Sequence, residues 1–310
     1  MGASRNLLQG RHSKLVTLRL QSNGPTDLRL CNQPATEMAV DRAAWREGAL
    51  YRAGRIAGVP VIMRACSLAA DEIEFQVRPA DETPLPDEAT IATALRRKFS
   101  LDLDLPAFYQ FIEPHPQLRS MPVRQRGLRP ILKDSLLEAL WLAVMDQQVN
   151  VAFADRLKRR FLDAYGQCYQ LDGLDLWLLP TVEQIAALDL HALHPMQFTR
   201  NRSSFIVGLA RRFLAEPQWE ALQGPDDEVV RELCRLNGVG PWTAEYGAMV
   251  GLGLIDTLPA ADIGLLEAVQ RLFDLPKRPT PEQVRQLGRD WSPWRGLITF
   301  YLWHQYEMED

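Results

Sequence analysis

The sequence predicts an α+β protein, with a mixed, β-rich N-terminal part followed by a part built almost entirely of helices. Three observations carry this. Apolar residues alternate with polar ones at Val16, Leu18 and Leu20 and again at Ile73, Phe75 and Val77, the period of a strand with one buried face. From Asp134 onward the apolar spacing changes to three and four residues, the period of an amphipathic helix. Between the two regimes, the stretch from Glu113 to Pro130 is rich in proline and arginine and reads as a linker. At 310 residues the chain has room for two or three cores. The division expected is an N-terminal α+β domain over 1–115 and a helical core over 116–310.

Within the first part, Gly58-Val-Pro-Val-Ile-Met63 reads as a further strand and Glu88 to Phe99 as a helix. In the second part, the spacing predicts helices over 135–148, 151–165, 181–189, 203–215, 227–237, 241–253, 263–273, 281–291 and 294–306. Turns fall at Gly166, Pro180, Pro217, Gly224-Pro225 and Pro276 to Pro279. No internal repeat and no low-complexity tract interrupts the pattern.

Hydrophobic content of 46% and charged content of 24% are ordinary for a soluble globular protein. No apolar run approaches the length that crosses a bilayer, so a membrane role is not expected. The N-terminus lacks the apolar stretch and small-residue site of a secretory signal. The four cysteines, Cys31, Cys66, Cys168 and Cys234, include no C-x-x-C pair, which favours a reducing cytoplasm and buried thiols. The five histidines, His12, His115, His191, His194 and His304, show no metal-ligand spacing. A formal net charge of −4 argues against a general nucleic-acid binder. The local distribution softens that objection. Arg119, Arg124, Arg126, Arg129 and Lys133 lie in an acid-free stretch, as do Arg200, Arg202, Arg211 and Arg212. Such stretches are either solvated faces or the lining of a groove that meets phosphates.

The most informative stretch runs from Leu233 to Tyr246. Val229, Val230, Leu233 and Leu236 recur at helical spacing up to Asn237. Gly238 and Gly240 then permit a tight turn, and Pro241 suits the first turn of a new helix. The reading is helix, hairpin, helix. N–H groups at the hairpin and at the second helix start form an anion site, and a DNA phosphate is the natural candidate. Beyond it, Asp262 precedes the apolar positions Leu265, Leu266, Val269 and Leu272, so on local sequence alone Asp262 is an N-cap.

Leu236-Asn-Gly-Val-Gly-Pro-Trp-Thr-Ala244, followed by Asp262 and then Trp291-Ser-Pro-Trp-Arg-Gly296 and Tyr301-Leu-Trp303, resembles the helix-hairpin-helix DNA glycosylase superfamily. Within it the chain is most similar to the 3-methyladenine DNA glycosylase II family, the inducible alkylbase glycosylases. Leu137 to Val149 is similar to that family's first core helix, and Tyr51 to Pro79 more weakly to its N-terminal domain. The resemblance implies a TATA-binding-protein-like N-terminal domain. It also implies a glycosylase core of two helical subdomains, 134–225 and 226–262, with the C-terminal helices 263–310 completing a cleft.

The activity implied is monofunctional excision of alkylated purines, such as 3-methyladenine and 7-methylguanine, from double-stranded DNA by a monomer. Asp262 matches the catalytic aspartate, and Trp242, Tyr246 and Trp303 match the pocket that stacks on the flipped base. Gln148 occupies the position that wedges into the vacated space, where Gln147 and Gln148 otherwise read as exposed amides ending a helix. Gly238, Gly240 and Trp242 match the phosphate-binding hairpin. Bifunctional relatives carry a lysine where Trp242 stands, and no lysine lies between Lys158 and Lys277. No cofactor is required. A structural monovalent cation, Na⁺ or K⁺, is implied at the carbonyls of Cys234, Leu236 and Val239. The scattered cysteines do not match the iron–sulfur cluster of some relatives. Asp146 stands where the family usually has glycine, and a carboxylate there is expected to repel phosphates. Two alternatives stay open: a non-catalytic helix-hairpin-helix DNA-binding repair module, and a glycosylase of the same fold acting on deaminated or oxidised bases.

Overall fold

The computed structural model describes residues 4–7, 15–32 and 43–307. His12 lies outside the described residues. In the N-terminal part, strands β2 (Val16–Gln21), β3 (Ala44–Arg46), β4 (Ala49–Ile56), β5 (Val59–Ser67) and β6 (Glu72–Pro79) form an antiparallel sheet in the order β2-β6-β5-β4-β3. The alternation read from sequence sets the register. Leu18 opposes Phe75 and Met63 opposes Val77. One face packs Val61, Met63, Phe75 and Val77 against Ile91, Leu95 and Phe99, which belong to or cap helix α2 (Glu88–Lys98); the short helix α1 (Leu28–Asn32) adds Leu28.

The expectation of helices almost throughout from Asp134 is corrected at one place. Strands β7 (Gln167–Leu171) and β8 (Leu174–Leu178) form a hairpin. Asp172 and Gly173 both take positive φ, 51° and 79°, as a two-residue turn matched to strand twist requires. Leu171, Leu176, Leu178 and Tyr169 pack with Ile62 and Ala80 of the N-terminal part, and β1 (Ser4–Leu7) pairs in parallel with β7. The hairpin thus joins the second part of the chain to the first.

The linker reading of 113–130 is also corrected. Helices α3 (Leu105–Ile112) and α4 (Met121–Arg124) lead into a buried crossing. Phe108, Leu118, Met121 and Leu128 pack with Leu265, Trp291 and Tyr301. Arg129 is fully buried, and its guanidinium donates to the carbonyls of Asn23, Gly24, Pro25, Ser100 and Leu103. It is a tie between segments and faces no solvent. Lys133 and Arg202 are buried as well, while Arg119, Arg124, Arg126 and Arg200 are exposed.

The helical part comprises α5 (Leu136–Asp146), α6 (Val151–Tyr165), α7 (Val182–Ala186), α8 (Arg200–Ala215), α9 (Asp226–Leu233), α10 (Pro241–Gly247), α11 (Ile263–Leu272), α12 (Pro281–Leu287) and α13 (Arg295–Glu307). Several ends are shorter than the spacing predicts: α5 stops at Asp146, α7 at Ala186 and α9 at Leu233, and α12 is completed by a 3₁₀ turn over 288–291; further 3₁₀ turns span 190–196 and 217–221. The expected helix over 241–253 runs as α-helix to Gly247 and as a π-turn from Ala248 to Leu252. No helix among the described residues is long and apolar enough to cross a membrane. Helix α5 is central: it is buried along most of its length and packs against α6, α8 and α10. It lies in a core with Phe161 and Ile206, its Ala139 and Ala143 face Tyr246, Met249 and Val250, and a separate core joins Leu265, Val269, Trp291 and Tyr301.

Candidate active site

The hairpin closes with short-range bonds. The amides of Arg235, Leu236 and Val239 donate to the carbonyls of Glu232, Leu233 and Leu236. Gly238 has φ +86°, and a Cβ there would strike the Phe205 ring, so both the turn and the close packing require glycine. Gly240 caps α10, Pro241 opens it, and nothing lies near where a Gly240 Cβ would be. The first-turn amides of α10 have no acceptor within their own helix and sit at an open face.

Helix α10 carries Trp242 and Tyr246 one turn apart. Their rings stack at 5.7 Å with an interplanar angle of 23°. Tyr246 meets Trp303 of α13 at 6.0 Å and 45°. Ala139 and Ala143 of α5, with Met249 and Val250, back this aromatic group. The three residues read from sequence as a base pocket are therefore brought together.

Asp262 is the N-cap of α11, as its local sequence indicates: Oδ1 accepts the Leu265 amide at 2.8 Å. Both tryptophans also turn their indole N–H groups onto it. Trp303 Nε1 donates to Oδ1 at 2.9 Å, and Trp242 Nε1 donates to Oδ2 at 3.0 Å. Gly264 makes this approach feasible, since a Cβ there would lie 3.2 Å from Asp262 Oδ1 and 3.6 Å from the Trp303 ring. The carboxylate remains partly exposed at the edge of the aromatic group. Three N–H donors hold an anion rigidly while one side stays open, an arrangement suited to stabilising positive charge on a neighbouring group. Nothing in the sequence marks the indole donors, because tryptophan there reads first as packing or stacking.

At the end of α5, Gln148 is exposed and adopts φ +53°. Its neighbour Gln147 bonds to the hairpin, a contact no sequence spacing indicates. The expected repulsion by Asp146 is answered by Lys158 of α6, whose ammonium lies 2.5 Å from Asp146 Oδ1. Burial raises the Asp146 pKa against the opposing pull of Lys158, and burial lowers that of Lys158 against the pull of Asp146. The charge is compensated within the fold.

The remaining predicted elements are structural. Asp256 accepts from Arg295 Nε and Nη2, both at 2.9 Å, and from Ser292 Oγ at 2.8 Å. Trp291 is buried, and His304 is buried beside Gln125. Arg211 bonds to the carbonyls of Ala186 and Leu188, and Arg212 pairs with Glu216. The second arginine stretch is therefore largely committed within the protein.

Residues 142–293 match the family described as HhH-GPD superfamily base excision DNA repair protein. The chain is 35% identical over 210 residues to a DNA-3-methyladenine glycosylase of Bacillus subtilis, covering 66% of this chain and 68% of that one. A second B. subtilis protein, a putative DNA-3-methyladenine glycosylase, is 32% identical over 58% of this chain, which spans 62% of that relative's length. Among solved structures, the 3-methyladenine DNA glycosylase from Archaeoglobus fulgidus superposes with a TM-score of 0.80 at 21% identity, covering 94% of this chain and 98% of that one.

Proposed function

The chain belongs to the HhH-GPD superfamily of base excision DNA repair proteins, and on that premise we propose that it is a monofunctional alkylbase DNA glycosylase. It removes alkylated purines such as 3-methyladenine and 7-methylguanine from double-stranded DNA by flipping the base and hydrolysing the N-glycosidic bond. The observation that carries the reading is Asp262, held by Leu265, Trp242 and Trp303 at the lip of an aromatic group.

Cleavage of an N-glycosidic bond builds positive charge on the sugar. The Asp262 carboxylate stabilises that charge and takes a proton from the attacking water, assistance worth about 10²–10⁴-fold in rate. Alkylation at a purine ring nitrogen leaves the base cationic and electron-poor. The faces of Trp242, Tyr246 and Trp303 hold it by stacking and a cation–π term. With Trp242 in place of an amine and Lys158 buried against Asp146, water is the nucleophile and an abasic site the product.

Gln148 fills the space the base leaves, offsetting an unstacking cost of a few kcal/mol. The amides of Gly238, Gly240 and Trp242 receive a phosphate at the hairpin. The carbonyls of Cys234, Leu236 and Val239 are neutral hard oxygens on one tight turn, a donor set that fits Na⁺ or K⁺ better than a transition metal. Held by those carbonyls, such a cation would supply positive charge beside the phosphate. The protein acts as a monomer in the cytoplasm, a setting in keeping with its four free cysteines.

The test is Asp262→Asn. The variant folds and still binds abasic-site duplex, while release of methylated purines from alkylated DNA, followed chromatographically, falls at least about 10²-fold. Near-normal release by the variant overturns the assignment. Wild-type protein that binds DNA and releases no base favours the non-catalytic module.

A further inference from the structure

The loop between α5 and α6 holds the wedge residue Gln148, and its neighbours leave it little freedom. Gln147 Nε2 donates both its hydrogens to the hairpin side, to the Gly238 carbonyl at 2.9 Å and to Thr243 Oγ1 at 2.9 Å. From beneath, the buried Arg202 of α8 donates Nε to the Val144 carbonyl at 3.1 Å and Nη2 to the Gln147 carbonyl at 2.6 Å. The last carbonyls of a helix have no partner within it, so Arg202 fixes where α5 ends. Gln148 then takes a left-handed backbone, φ +53°, a conformation a non-glycine residue keeps only when its surroundings impose it. Gly238, whose carbonyl Gln147 holds, is the same residue whose amide serves the phosphate site.

We propose that Gln147 is a positioning residue that locks the wedge to the phosphate-binding hairpin, so that gripping the backbone and filling the emptied stack occur as one rigid event. Arg202 supports it by fixing the backbone end of the loop. The proposal rests on the base-flipping reading above. Its consequence is specific: Gln147 matters in proportion to how hard the base is to extrude.

The experiment compares two substrates carrying the same 7-methylguanine, one paired with cytosine in a full duplex and one unpaired within a bubble. Single-turnover base release is measured for wild type and for Gln147→Met, which keeps the length of the side chain and removes both donors. Loss of two hydrogen bonds predicts a fall of about tenfold or more on the paired duplex. On the bubble, where extrusion costs little, release stays within about threefold of wild type. The ratio of the two rates is taken within one protein, so a smaller folded fraction cancels. Thr243→Val removes only one acceptor and gives a smaller shift of the ratio in the same direction. Equal losses on both substrates, or undiminished release from the paired duplex, overturn the proposal and leave the glycosylase reading standing. Wild-type protein that releases no base from either substrate refutes that reading and this one with it.

Discussion

At the scale of single residues, the two indole N–H groups on Asp262 separate two jobs that tryptophan performs at one place. A ring face can stack on a base; a ring N–H can hold an anion. Trp242→Phe and Trp303→Phe keep an aromatic face and remove the donor at 3.0 Å and 2.9 Å respectively. A hydrogen bond to a charged group is worth about 1.5–3 kcal/mol, and in this geometry it keeps the carboxylate aimed. Each variant is expected to lower the single-turnover rate of base release about tenfold or more while binding of abasic-site DNA changes little. An unchanged rate of base release in either variant means that its indole N–H does not aim the carboxylate and leaves that tryptophan to stacking alone. Asp262 as cap and as candidate catalytic carboxylate was legible from its place after the hairpin. Its indole donors were not, because Trp303 comes 41 residues later and only the packing of α13 against α11 brings it close. The Lys158 partner of Asp146 was hidden for the same reason, lying on the next helix and paired across the gap between them.

At the scale of elements, what is local was legible. The hairpin was read from two glycines, a proline and the helical spacing before them, and α9 and α10 lie on either side of it. Its two glycines differ in a way that spacing does not reveal. Gly238 has positive φ and lies against Phe205, whereas Gly240 has φ −89° and open space around it. Gly238→Ala is therefore expected to lower the melting temperature and weaken binding to abasic-site duplex, with strain and displacement together costing about 1–3 kcal/mol. Gly240→Ala is expected to melt within about 2 °C of wild type, since neither source of strain applies there. Equal melting temperatures for the two variants contradict this account of the turn. The β7–β8 hairpin escaped the helical reading because it is short and lies between two stretches of regular helical spacing, 151–165 and 181–189. Its signal was the Asp172-Gly173 pair between alternating apolar residues, and what makes it a stable element is tertiary: it lies against the N-terminal sheet and receives β1 along its edge.

At the scale of the whole molecule, the N-terminal sheet and the helical part are joined through buried charge as well as apolar contact. The Arg55 amide of β4 donates to Asp134 Oδ2 at 2.8 Å, and its guanidinium reaches the Leu179 carbonyl at 2.9 Å. It also lies 3.6 Å from Glu138 Oε1 at the start of α5. Lys98 of α2 pairs with Asp134. Burial, followed by the repulsion of Asp134, pushes the Glu138 carboxyl from 4.5 up to about 7, against the pull of Arg55, Lys98 and Lys133. The linkage has a definite sign. A carboxyl whose pKa is higher in the folded protein binds its proton more tightly there than in the unfolded chain. Its contribution to stability is fully present below pH 4.5 and is lost as the pH rises through about 7. Glu138→Gln removes the titration and keeps a group of the same shape. The melting temperature of the variant relative to wild type is therefore expected to rise steadily between pH 4.5 and pH 7 and to level off above that. A difference that does not change with pH across that window means that Glu138 titrates alike in the folded and unfolded chains, and the junction between sheet and helices is then not the seat of this pH dependence.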